Sequence, residues 1–359
     1  MRITSVDAIP YALPFVSPYV TARGRLERRE MVLVRLRTDE GLEGLGEAVP
    51  LSLRGGASLQ TIVRELRGSI EPSLVGLDLE GEAPATTSPI AAGLSAQTAA
   101  AIEVARLDLA AKLAGIPLWR LLGARSVEPV ECNATLVAGP PPAVAADAAR
   151  WLDRGFRTFK LKVGVAGDVG QVEAVRQAVG PKAGIRVDAN GVWSPQEAAL
   201  RLTAMERHRL ELAEQPAADL EGLAAVRSQT AVPIAADESV TTAADAERAA
   251  ELDACQLATV KLAKVGGIGP ARSIAARLPV YLSSALDGPV GIAAAAHALQ
   301  AIRDQGGLAP LAHGLATQAL FADTIASVEC ELDDALLRLP EAPGLGVEID
   351  ESALERHRL

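Results

Sequence analysis

Between residues 128 and 320 the chain alternates short apolar runs with alanine-rich helical stretches, and a charged residue closes one run after another. The apolar runs are "VECNATL", "TFKLKVG", "GIRVDAN", "LELAEQP", "VPIAADES", "ATVKLAKVGG", "PVYLSSALDG" and "GLAPLAHGLA". Strands that alternate with helices at this spacing form a parallel sheet, because a parallel pair needs a crossover long enough to hold a helix. Eight such units close into an α/β barrel with its helices outside and its site at the C-terminal ends of the strands. An open doubly wound sheet fits less well. The glycine run "KVGGIG" comes late and lacks the G-x-G-x-x-G spacing of a dinucleotide loop.

The charged residues share the barrel's period. In "FRTFKLKVGV", which begins at Phe156, Lys160 and Lys162 fall on one face of a strand, and Phe159, Leu161 and Val163 on the other. Asp188, Glu214, Asp237 and Lys261 then end the next four strands, at spacings of 26, 23 and 24 residues. Three carboxylates on adjacent strands converge at the barrel mouth. They repel unless a cation neutralises them, and an all-oxygen set suits Mg²⁺ or Mn²⁺. Taken singly, Asp188 reads as a helix cap, Glu214 as a loop residue and Lys261 as a snorkelling surface lysine. Together these readings need five coincidences in register, so the set reads as a metal centre flanked by lysines. Glu238 alternates away from the face of Asp237.

Composition narrows the partners. The formal net charge is -10 and no long basic run occurs, which speaks against nucleic acid. "TARGRLERRE" (residues 21–30) is locally basic but interrupted by acids, and reads as a solvated hairpin. No stretch reads as a signal peptide or a membrane span; "VGIAAAAHALQAI" reads as a buried helix. Cys132, Cys255 and Cys330 show no metal or redox spacing and read as small core residues of a cytoplasmic protein. The first 125 residues read as an α+β domain, with "EMVLVRLRTDEGLEGLGEAV" as two strands joined by a turn at Gly41. Residues 126–320 hold the barrel, and the Pro/Gly-rich residues 321–359 return to the first domain.

The ordered motifs "KLK", "VDAN", "AEQP", "ADES" and "VKLAKVGG", with the helix "ARLDLAAKLAGIPLWRLLGA", resemble the enolase superfamily in its muconate-lactonizing-enzyme subgroup. The resemblance implies an α+β capping domain on a modified (β/α)7β barrel and one essential Mg²⁺. It further implies removal of a proton α to a carboxylate, giving an enediolate. Lys162 would be the base. Lys160, a second ammonium on the same face, would lower the pKa of Lys162 by like-charge repulsion. Lys261 would either donate a proton or stabilise the enediolate. His208 and His297 fall in helices, His357 lies at the tail, and His313, near the last strand, has a structural reading.

Several reactions share this lysine pair. "YLSSALDGPVGIAAAAHA" and "AHGLATQALFA" are similar to the seventh and eighth strands of o-succinylbenzoate synthases, which implies a dehydration in menaquinone biosynthesis. Under that reading Ser283, Ser284 and Gly288 hold a succinyl carboxylate at a helix N-terminus, and Arg186, two residues before Asp188, pairs with a carboxylate ligand or substrate. N-succinylamino acid racemase and muconate cycloisomerase are the alternatives. Dipeptide epimerase is disfavoured because "APLAHGLAT" has no acid for a substrate amine. A degenerate metabolite-binding barrel is the non-enzymatic alternative. The expected partner is a small carboxylate substrate, with self-association left open. Cap loops at residues 19–25 and 51–56 are expected to close over it.

Overall fold

Strand β1 (Ile3–Thr21) runs antiparallel to β2 (Gly24–Thr38), which pairs on its other edge with β3 (Glu43–Ala48). These and all coordinates below come from a computed structural model that describes residues 1–21, 24–52, 55–79 and 93–359. The run "MVLVRL" is apolar on both faces because the cap sheet is covered on both. Val32, Val34 and Leu36 pack with Ile62, Leu66, Ile102 and Leu109 of the cap helices. Met31 and Leu33 point the other way and join the core that continues into the barrel. Glycines in β3 bring the helix Ala96–Leu113 close. A Cβ at Gly46 would collide with the carbonyl of Ala101, and one at Gly44 with that of Ala105. Asp108 of this helix is buried and accepts the N–H groups of Leu45 (2.8 Å) and Leu345 (2.7 Å), so one carboxylate joins the cap sheet to the C-terminal segment.

After the short β4 (Val130–Glu131), seven parallel strands follow in chain order. They are β5 (Ala134–Leu136), β6 (Thr158–Lys162), β7 (Gly184–Asp188), β8 (Leu212–Glu214), β9 (Ile234–Ala236), β10 (Leu257–Val260) and β11 (Val280–Leu282). Their strand order is sequential, as expected for right-handed crossovers through intervening helices. The eighth apolar run differs from its expectation. Residues 308–314 form no continuous strand; the proline at 310 cannot donate to a ladder. They meet β11 and the start of β5 through single bridges, Val280 to Leu308, Ser283 to Gly314 and Cys132 to His313, and these close the circle. His313 accepts the N–H of Leu282 at Nδ1 (3.0 Å), and burial, then Arg186, push its pKa down to about 3. It is a neutral structural acceptor. A short 3-10 turn (Ala316–Leu320) follows in place of an eighth helix.

The C-terminal residues cross back to the cap. Strands β12 (Ala326–Val328) and β15 (Glu348–Ile349) pair, while β13 (Glu331–Asp333) and β14 (Leu336–Arg338) extend from β4. Glu351 then meets Arg35 at 2.7 Å, and the N–H of Leu359 reaches the carbonyl of Pro10. The three cysteines are buried and unlinked. The helix Pro289–Asp304 is buried along most of its length, and no described helix is long and apolar enough to cross a membrane.

Candidate active site

Register places the charged strand ends together. Lys162 lies opposite Asp188 and Asp188 opposite Glu214, across β6, β7 and β8. Asp237 and Lys261 directly follow β9 and β10. One carboxylate oxygen from each of Asp188, Glu214 and Asp237 lies within 4.8 Å of the others, and all three residues are fully buried. Four ammonium groups surround them. Lys162 Nζ donates to Asp188 Oδ2 at 2.5 Å, and Lys160 Nζ lies 3.1 Å from the same oxygen and 2.6 Å from Glu214 Oε2. Lys261 donates to Asp237 Oδ2, and Lys264 Nζ meets Asp237 Oδ1 at 2.9 Å.

These contacts set the charges. Burial alone would lower the pKa of Lys160, but the carboxylates of Asp188 and Glu214 outweigh it and hold the pKa well above the ordinary lysine value. Burial likewise opposes ionisation of Asp188, yet Lys160 and Lys162 carry its pKa well below the usual carboxylate range. Glu214 goes the other way, raised by burial and then by Asp188. Its Oε1 is buried and accepts no hydrogen bond, with Lys261 Nζ 3.9 Å away. Three clustered carboxylates with one unsatisfied oxygen are a donor set that fits a hard divalent cation.

Over this cluster lies a cavity of about 430 Å³. Lys160, Lys162, Lys261, Ser283, Ser284 and Thr317 line it from the barrel, and Tyr19, Arg25, Arg28, Arg29 and Leu51 from the cap. The expected solvated hairpin is thus also part of the cavity wall. The cap loops at 19–25 and 51–56 lie partly outside the described residues, at 22–23 and 53–54; their described flanks are the cap residues named here.

Two of the expected substrate-binding residues are committed elsewhere. Arg186 is fully buried below the cavity. It pairs with Glu211, donates to the carbonyl of Ala312 at 2.7 Å and lies over the ring of Tyr281. The two-residue step from Asp188 carries it roughly 6–7 Å down the strand, one layer deeper in the barrel. Gly288 does stand at a helix N-terminus, but its N–H is donated to Glu47 of the cap at 2.6 Å. Other residues in the cluster went unpredicted. Lys264 stands three residues beyond Lys261 in "KLAK", in the single helical turn Leu262–Val265 that Lys261 begins. Asn190 lies 3.4 Å from Lys162 Nζ and donates to Glu238 at 3.1 Å. Tyr281 donates to Glu214 from across the barrel, a pairing that no local pattern reveals.

Residues 4–123 match the mandelate racemase / muconate lactonizing enzyme N-terminal domain, and residues 143–353 match the enolase C-terminal domain-like family. An L-Ala-D/L-Glu epimerase from Bacillus subtilis (strain 168) is 34% identical over 83% of this chain and 84% of its own length. An N-succinyl-L-Arg/Lys racemase from Bacillus cereus is 30% identical over 99% of this chain and 97% of its own. Its crystal structure superposes with a TM-score of 0.91, covering 100% of this chain and 98% of that one at 27% identity. A dipeptide epimerase from Enterococcus faecalis, solved with Mg and the dipeptide L-Leu-L-Tyr, superposes with a TM-score of 0.85, covering 97% of this chain and 100% of that one at 29% identity. The chain is therefore a member of the mandelate racemase / muconate lactonizing enzyme family of the enolase superfamily.

Proposed function

We propose that the protein transfers a proton at the carbon α to a carboxylate, and that its substrate is an N-acylated amino acid of the N-succinyl type. The observation that carries this reading is the placement of Lys162 and Lys261. They stand on the second and sixth of eight barrel positions, diametrically opposed across one carboxylate cluster and facing the same cavity. A planar enediolate formed between them presents one face to each lysine. Lys162 takes the proton from one face and Lys261 returns one to the other, which inverts the carbon; the reverse assignment serves the opposite hand.

Asp188, Glu214 and Asp237 would hold a divalent cation, which supplies electrostatic stabilisation of the charge that develops on the substrate carboxylate as the proton leaves. Lys160, held protonated between Asp188 and Glu214, stays a fixed positive charge beside Lys162. Its contacts to both acids keep it beside the cluster rather than free to act as the base. Tyr281 and Lys264 hold Glu214 and Asp237 in place.

Two features support an anionic N-acyl group. Arg25 and Arg28 line the cavity from the cap hairpin, where they are ion-paired to the exposed Glu27 (2.8 Å) and Glu30 (3.4 Å) and can exchange those partners for a substrate anion. Apart from those two acids, no carboxylate lines the cavity wall among the described residues, which gives a free dipeptide ammonium little to pair with. Epimerases and racemases among the relatives shift the weight from the synthase expected from the seventh-strand motif toward proton transfer without elimination. Dehydration to o-succinylbenzoate stays as the second reading because Ser283 and Ser284 line the cavity, where that motif implies a succinyl group would sit. Incubating N-succinyl amino acids of each hand with Mg²⁺ in D₂O, beside an ultraviolet assay of dehydration, separates the two. Racemisation with α-deuteration supports the proposal; dehydration without exchange favours the synthase.

A further inference from the structure

One buried acid reaches from the cap into the barrel. Glu47 of β3 is 6% exposed. Its Oε1 accepts the N–H of Gly288 at 2.6 Å, and its Oε2 accepts the hydroxyl of Tyr11 at 2.8 Å. Gly288 precedes the helix Pro289–Asp304, whose first N–H groups have no partner within the helix. An acid at that end satisfies them and suits the helix dipole. The fit is close. A Cβ on Gly288 would lie 2.5 Å from the Tyr11 hydroxyl, and one on Gly291 would lie 2.9 Å from Glu47 Oε1.

The same turn forms a wall of the cavity. Asp287 Oδ2 accepts Ser284 Oγ at 2.9 Å and the N–H of Ala285 at 2.6 Å, and Ser284 Oγ accepts the N–H of Asp287 at 2.8 Å and the hydroxyl of Thr317 at 2.7 Å. Arg29 of β2 donates to the carbonyls of Ala285 and Pro50, both at 2.9 Å. The turn is therefore gripped by the cap at two points, and Glu47 is the grip that also caps the helix.

We infer that Glu47 is a positioning residue: from the cap it locks residues 283–288 onto the helix N-terminus and so fixes the Ser283 and Ser284 wall, without touching substrate. The inference rests on this cavity being the substrate site, and not on which acid is turned over there. Tyr11 from β1 and Asp287 from the turn face the Glu47 carboxyl directly; Arg29 acts on it through Asp287, and Glu329 stands near Tyr11. Burial first, and Asp287 second, push the Glu47 carboxyl up to about 7. A raised carboxyl contributes stability that is full below the ordinary value near 4.5 and lost as pH rises through about 7.

The test compares Glu47→Ala, Glu47→Gln and Tyr11→Phe with the unmodified protein. In folded Glu47→Ala, amide exchange at residues 283–290 should quicken while the barrel strands keep their protection. KM should rise about tenfold, with kcat within roughly threefold and an unchanged Mg²⁺ requirement. Glu47→Gln keeps an oxygen for Gly288 and should recover most of the KM; its melting temperature should also gain on the unmodified protein as pH rises from 5 to 8. Unchanged exchange and KM in Glu47→Ala would overturn the assignment, as would a Gln variant as impaired as the Ala variant. Should Glu47→Ala fail to fold, Tyr11→Phe carries the same readouts, with a KM rise of about two- to threefold expected and no change in exchange counting against it. If the unmodified protein turns over no α-proton, the proposed reaction fails, while the exchange data still decide the role of Glu47.

Discussion

Lys160 Nζ sits 2.6 Å from Oε2 of Glu214 and 3.1 Å from Oδ2 of Asp188, bridging two of the three clustered carboxylates. The contact answers why a buried strand carries two ammonium groups on one face. One of them compensates the acids, and the other, Lys162, faces the cavity with its own hold on Asp188.

Removing that bridge should be costly. Lys160→Met takes from Glu214 its nearest ammonium and leaves Asp188 with Lys162 alone, and breaking a buried pair from one side costs about 3–5 kcal/mol. Thermal melts without metal should drop accordingly. Saturating Mg²⁺ should restore part of the loss, because a ligand that binds only the folded state stabilises it. An unchanged melt would show that Lys160 does not compensate the cluster.

The metal centre gives the second expectation. Chelation should abolish turnover, and Mg²⁺ or Mn²⁺ should restore it. Asp188→Asn, Glu214→Gln and Asp237→Asn should each lower kcat/KM by roughly 10²- to 10³-fold, since each removes charge from the cation's surroundings. Full activity in excess chelator would contradict the metal assignment.

Two buried histidines predict an acid-labile fold. His297 accepts the N–H of Trp119 at 2.9 Å, and burial pushes its pKa down to about 4; His313 is pushed down to about 3. A histidine depressed in the folded state contributes stability above its unfolded pKa near 6.5 and loses it as pH falls toward the folded value. Between pH 6.5 and 5 each should lose about 2 kcal/mol. Melts of His297→Asn against the unmodified protein should converge as pH falls across that range. Parallel curves would show that His297 titrates normally.

Much of the site was legible because its signal is local and repeats. Polar residues stand out in apolar strands, and the positions of Asp188, Glu214, Asp237 and Lys261 carry the barrel's own period. Depth along a strand is a different matter. Alternation puts Arg186 on the same face as Asp188 but says nothing about layer, and only the fold reveals Glu211 waiting beneath. Gly288 is similar: the helix N-terminus was visible, but the group its N–H meets, Glu47, comes from 241 residues earlier in the chain. The eighth run was read as a strand from its apolar character, whereas Pro310 leaves it only isolated bridges.

The opposed lysines are tested most directly by following α-hydrogen exchange in D₂O with each hand of an N-succinyl amino acid, using the unmodified protein, Lys162→Ala and Lys261→Ala. The unmodified protein should racemise both hands with deuterium appearing at the α-carbon. Each alanine variant should lose racemisation by at least about 10³-fold, yet retain exchange without inversion on the one hand whose α-hydrogen faces the surviving lysine, and the two variants should retain opposite hands. No exchange in the unmodified protein, or both variants retaining the same hand, would contradict a pair of lysines acting from opposite faces.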